Sequence, residues 1–125
     1  MSRPQLIPGP SHPITVTPSG VRVVVRAGEH VVADTTDALA LQESTYPVAY
    51  YVPMADVDQS VLRRTEHSTY CPYKGDASYY SVVTPGGTLE NAVWSYEEPY
   101  DAVASIAKRV AFYTDRLEVT VVSGD

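Results

Sequence analysis

The chain has one cysteine. That excludes an intramolecular disulfide and a zinc cage built from paired thiolates. A lone free thiol suits a reducing compartment, so a cytoplasmic location is expected. Positive charge is also scarce: nine Lys and Arg stand against fifteen Asp and Glu, a net charge of −6. The arginines are scattered, with no basic stripe to offset repulsion from a phosphate backbone. Neither nucleic acid nor an anionic membrane surface is expected as a partner. No apolar run approaches the roughly 20 residues of a spanning helix, and no charged-then-apolar signal opens the chain. Three histidines, His12, His30 and His67, lie too far apart to form a metal site, and no cofactor motif is present. Neither a Walker loop nor a Gly-x-Gly-x-x-Gly stretch occurs.

What remains is ordinary in size and unusual in detail. A chain of 125 residues with 44% hydrophobic content fits one domain around one core. Residues 1–13 carry Pro4, Pro8, Pro10 and Pro13 and little apolar content, which predicts a flexible arm ahead of a domain spanning 14–125. Val21, Val23 and Val25 alternate with polar neighbours, the period of a half-buried strand, and His30 to Asp34 returns as a hairpin partner. Ala38 to Glu43 is a short alternating run, and Tyr46 to Val52 reads as a strand whose proline suits a strand start or a sheet edge. Ala77 to Thr84, Pro85-Gly86-Gly87 and Thr88 to Tyr96 predict the clearest hairpin. Asp56 to Arg64 predicts a short helix. A longer one is predicted between Tyr100 and Tyr113, where Val103, Ile106, Ala107, Val110 and Ala111 form one stripe. Leu117 to Val121 closes as a strand. The fold class expected is mainly β, of the α+β type, with one long and one short helix.

Chemistry concentrates at Thr69 to Tyr80, which holds Cys71, Lys74 and four of the ten tyrosines. Cys71 can be a buried structural thiol, a ligand-facing group, or a nucleophile if a cation lowers its pKa. Lys74 can anchor an anion or act as a proton donor or Schiff-base amine. It can equally pin the loop by an ion pair with Asp76 or a glutamate, with Gly75 supplying a positive φ. Glu43 and the Glu97–Glu98 pair are candidate acids or bases, the pair also suiting a helix start. His67 can reach the loop as a proton carrier. Ten tyrosines against one phenylalanine suit an aromatic pocket with polar tips. Tyr50, Tyr73, Tyr79, Trp94 and Tyr96 are its candidate walls. Neighbours such as Tyr50 and Tyr51 must face opposite sides of a strand, whereas Trp94 and Tyr96 share one.

Cys71-Pro72-Tyr73-Lys74-Gly75-Asp76-Ala77-Ser78-Tyr79 resembles the signature C-P-x-K-G-x-A-x-Y of the bacterial family known as domain of unknown function 427, sometimes labelled nucleotidyltransferase-like. Val93-Trp94-Ser95-Tyr96, Pro99, Ile106, Val110 to Tyr113, Val32-Ala33-Asp34 and Tyr50-Tyr51-Val52-Pro53 extend the resemblance over roughly Val21 to Val121. It implies a β-tent, like those of methionine sulfoxide reductase B and the thalidomide-binding domain of cereblon, in which ligands sit between two antiparallel sheets. The zinc of those relatives does not carry over to a chain with only Cys71. Met54 and Glu97 depart from the family pattern, which often has arginine and proline there.

Two functions are therefore expected. The first is a metal-free, cofactor-free enzyme acting on a small polar or carbonyl-bearing metabolite. Lys74 would bind or polarise the substrate, and Glu43 or Cys71 would handle protons. The second is a non-catalytic module that holds a small ligand in the aromatic pocket. Nucleotidyl transfer is less favoured, and a homodimer is left open.

Overall fold

A computed structural model describes residues 4–123 of the chain. Among these residues ten strands form two antiparallel sheets. In chain order they are β1 (Ile14–Pro18), β2 (Val21–Ala27), β3 (His30–Thr35), β4 (Leu39–Glu43), β5 (Ala49–Pro53), β6 (Leu62–Cys71), β7 (Gly75–Thr84), β8 (Gly87–Ser95), β9 (Arg109–Phe112) and β10 (Glu118–Ser123). The larger sheet has the order β1-β4-β5-β9-β8-β7-β6, and the smaller β10-β2-β3. The expected mainly β class with paired antiparallel sheets is what the chain adopts. Among the described residues no helix is long and apolar enough to cross a membrane.

Alternation along the strands gives the large sheet two apolar faces. Val52, Val82, Val93 and Val110, all essentially inaccessible, pack against Val23, Val25 and Val32 of the small sheet. Leu41, Tyr51, Ala77, Tyr79, Tyr96 and Ala111 form a second cluster, capped by Val103 and Ile106. In β9 the split is residue by residue: Val110 and Phe112 join the first cluster, Ala111 the second.

The joint between β5 and β9 is short. It consists of Val52↔Val110 and Pro53↔Arg109. Beyond Val52 the two strands no longer pair, although β5 stays bonded to β4 through Tyr51, Tyr50 and Ala49. Arg109 reinforces the joint, its guanidinium donating to the Asp37 carbonyl at 2.7 Å while its own carbonyl accepts from Ser95 Oγ at 2.7 Å.

Both expected helices need correction. Residues 54–61 contain only two single-turn 3-10 helices, Met54–Asp56 and Gln59–Val61, and Leu62 already begins β6. The stripe from Val103 to Ala111 is a 3-10 helix, Asp101–Ile106, followed by β9. Val103 is non-helical at φ −129°, and Lys108 is left-handed at φ 62°. The 3.6-residue spacing was coincidental. Its valines and isoleucine are stiff at χ1 and favour strands, and β8 needed a partner on its open side, which β9 supplies through Val93↔Phe112 and Ser95↔Val110.

Ile106 is 0% exposed, so Ile106→Ala removes a filled position under the second cluster. A loss of about 2–5 kcal/mol in urea unfolding is expected. A loss under 1 kcal/mol would show that the 3-10 helix does not close this core.

Candidate functional site

Cys71 to Gly75 turns the chain from β6 into β7, the Lys74 amide donating to the Cys71 carbonyl at 3.2 Å. Gly75 takes φ +108°, and a Cβ there would lie 3.5 Å from the Glu98 carbonyl oxygen. A side chain would therefore meet backbone strain, with the Glu98 carbonyl at ordinary contact distance. With the loop so placed, the Lys74 ammonium donates to Glu43 Oε1 at 2.6 Å. The other carboxylate oxygen of Glu43 accepts from His12 Nε2 at 2.8 Å. Only 13% of the Lys74 and Glu43 side chains is exposed. The Lys74 nitrogen also lies 5.6 Å from the centre of the Tyr96 ring, within cation–π range. Burial pushes the Glu43 carboxyl up, but the hydrogen bonds from Lys74 and His12 outweigh it and hold the group below its ordinary range.

The segment ahead of β1 lies against this loop. The Leu6 amide donates to the Pro72 carbonyl at 2.9 Å, and the Tyr70 hydroxyl donates to the Pro4 carbonyl. The His12 ring stacks on Tyr73, 4.1 Å between centres and 13° from parallel. Residues 4–13, expected to be a flexible arm, thus meet the Cys71 to Lys74 loop at both ends and supply one of Glu43's two cationic or hydrogen-bonding partners.

On the same face of the large sheet, Trp94 Nε1 donates to the Tyr51 hydroxyl at 3.0 Å. Burial drives the Tyr51 and Tyr96 phenols well above their ordinary range. Tyr113 stacks near parallel to Tyr79 at 6.5 Å and tilts over Trp94 at 4.5 Å. Burial, then the Tyr79 hydroxyl, pushes its phenol up to about 12. These phenols all stay protonated at neutral pH and so remain hydrogen-bond donors.

A separate hollow opens where β5 and β9 part. Pro47 to Tyr50 line one side, Ala111 to Thr114 the other, and Val23, Val25 and Val119 of the small sheet close it from the inter-sheet side. Trp94 completes the wall around a volume of ≈ 180 Å³. This is comparable to the roughly 150 Å³ apolar cavity known to accept benzene.

The expected site residues therefore divide. Lys74, Glu43 and Tyr73 come together in one cluster, with Cys71 half-buried and Tyr96 buried in the apolar cluster beside it. Trp94 and Tyr50 line the hollow instead, while Tyr79 packs beside Trp94 under Tyr113. Glu97 sits apart. It accepts from Arg64 at 2.6 Å and from Ser78 at 2.8 Å, and these bonds lower its pKa. His67 lies edge-on to Tyr79 at 4.5 Å rather than in the loop. Sequence reasoning left out His12 and Tyr113, and it kept Tyr51 in the aromatic set without placing it among the pocket walls. For Tyr51 the signal existed, because a residue next to Tyr50 had to face the opposite side. For His12 there was none, since only tertiary contact carries it to Glu43.

A family described as a domain of unknown function, DUF427, matches residues 15–123. The chain belongs to that family. No curated protein matches it. In this DUF427 domain the match runs from β1 to the end of β10 and takes in the loop, the hollow and Glu43. His12 and the rest of the docked segment fall outside it.

Because Glu43 is held below the ordinary carboxylate range, its share of stability is fully present above that range and is lost as pH falls through the lowered value. Tm measured from neutral to acid pH should fall less steeply in Glu43→Gln than in the wild type, and parallel curves would show that the carboxylate adds nothing. Lys74→Met leaves a half-buried carboxylate with His12 alone, and a neutral-pH loss of about 1–3 kcal/mol is expected by chemical denaturation.

Proposed function

We propose that this domain binds a small, largely apolar or aromatic molecule in the hollow between the sheets and converts nothing there. The observation that carries the reading is the hollow itself. A seven-stranded sheet leaves off its β5–β9 pairing after two residue pairs and lines the gap with Tyr50, Trp94, Phe112 and Tyr113. A concave, mostly apolar recess with a few polar tips is the usual form of a small-molecule site. The lining residues that carry polar side-chain groups besides Trp94 are Tyr50, Tyr113 and Thr114. Trp94 Nε1 is already satisfied by Tyr51, so the indole offers its ring rather than its donor. A cytoplasmic setting belongs to this reading, supported by the free thiol of Cys71.

Catalysis by the neighbouring cluster is a second reading, and one observation favours it. Glu43 joins an amine and an imidazole on its two oxygens beside a half-buried thiol, a set able to move protons. Against it, the Lys74 ammonium is already engaged by Glu43, which gives it the work of a loop pin.

The test uses Trp94 as the reporter. Toluene added to the full chain should change Trp94 fluorescence and raise Tm, the stabilisation reaching about 2.7 kcal/mol at 100 times Kd. Val48→Phe projects a ring from the rim of the hollow and should abolish both responses, whereas Lys74→Ala should leave toluene affinity unchanged. A wild-type chain unmoved by toluene in both measurements would remove the binding reading.

A further inference from the structure

The three strands at the far edge of the large sheet are irregular at one level. Between Arg64↔Tyr80 and Ser68↔Ser78, β6 sets residues 65–67 opposite Tyr79 alone. Between Tyr80↔Val93 and Val82↔Leu89, β8 sets residues 90–92 opposite Ser81 alone. The central strand β7 is thus flanked by two bulges. They are tied to each other across it, Thr65 Oγ1 donating to Asn91 Oδ1 at 2.7 Å, and the Asn91 amide donates to Ser81 Oγ at 3.1 Å. Asn91 is held left-handed at φ 50°. Bulges re-aim side chains and concentrate beside binding sites. These two turn His67 and Asn91 toward a cleft of ≈ 240 Å³ completed by Tyr79, Tyr113, Asp115 and Arg116.

Two features of this cleft point to a ligand. Asp115 and Arg116 both line it, yet neither forms an ion pair with any residue among those described, including each other. They present one negative and one positive charge, open to a partner carrying both. The second feature is position. Tyr113 is the one residue common to the linings of this cleft and of the apolar hollow, its ring tilted over Trp94 and its hydroxyl 3.4 Å from that of Tyr79.

We propose that the cleft receives the charged head of a small zwitterion whose apolar body fills the inter-sheet hollow, the chemistry of an α-amino acid with an aromatic side chain. Arg116 takes the carboxylate and Asp115 the ammonium. The Tyr113 hydroxyl and the Asn91 side-chain nitrogen Nδ2 supply neutral donors at the junction of body and head. The assignment deepens the binding reading above and rests on it.

The experiment compares toluene, phenylacetate, phenethylamine and L-phenylalanine by calorimetry and Trp94 fluorescence on the full chain. L-Phenylalanine is expected to bind tightest and toluene weakest. Arg116→Ala and Asp115→Asn, both at exposed positions, should each weaken L-phenylalanine by about two- to fivefold, the range for single exposed charge pairs, and leave toluene unchanged. Toluene binding with L-phenylalanine no tighter, phenylacetate outranking L-phenylalanine, or indifference to both substitutions overturns the head-group assignment while the hollow keeps its role. Failure of toluene and L-phenylalanine alike removes both readings together.

Discussion

Two residue pairs, Val52↔Val110 and Pro53↔Arg109, hold the large sheet together. On one side of this joint lies the three-stranded group β1, β4 and β5, and on the other the four-stranded group β9, β8, β7 and β6. Antiparallel strands gain from every further pair they make, so a joint this short needs compensation. It comes from the buried side chains of Val52 and Val110, both 0% exposed, and from Arg109, which reaches across to the Asp37 carbonyl. Because pairing stops there, the sheet can splay, and the splay is the hollow. A fully zipped β5 and β9 would place Tyr50 opposite Phe112 and fill the space that the small sheet now covers.

The ionic cluster works at the other end of the same architecture. Glu43 closes β4 and Lys74 follows β6, so their contact ties the first group of strands to the second without a backbone hydrogen bond. His12 adds the preceding segment to the same carboxylate. Three stretches remote in sequence thus converge on one half-buried acid, whose depressed pKa reflects the convergence. Tyr51 lies between the cluster and the hollow, within electrostatic reach of Glu43 and Cys71 and bonded through its hydroxyl to Trp94. Its link to the hollow is that bond to Trp94, a residue of the hollow's wall.

The hairpins β2–β3 and β7–β8 were legible because their alternation and their turns agreed. Strand β6 was not, since Arg63, Arg64, Thr65, Glu66, His67, Ser68 and Thr69 present no apolar face. It is an outer strand held by backbone pairing to β7 and needs none. Strand β9 was misread because Val103, Ile106, Val110 and Ala111 happen to fit a helical stripe. In the fold Val110 and Ala111 serve opposite faces of one sheet. At the site, the crowding of Cys71, Tyr73 and Lys74 marked a turn between strands, and the ion pair to Glu43 is one of the two roles it left open for Lys74. Nothing local revealed that its partner would be Glu43, or that the tyrosines would divide between a core and a hollow.

By itself the sequence determined the β class, the family and the conformation of the loop. Each of these depends on side-chain periodicity or on a contiguous motif such as Cys71 to Tyr79, in which neighbours along the chain constrain one another. The tertiary structure alone decided the length of the β5–β9 joint, the double bulge around β7 and the meeting of His12, Glu43 and Lys74. Those depend on how strands far apart in the chain register against each other, and register is set by packing across the sheet rather than by any one strand's own residues.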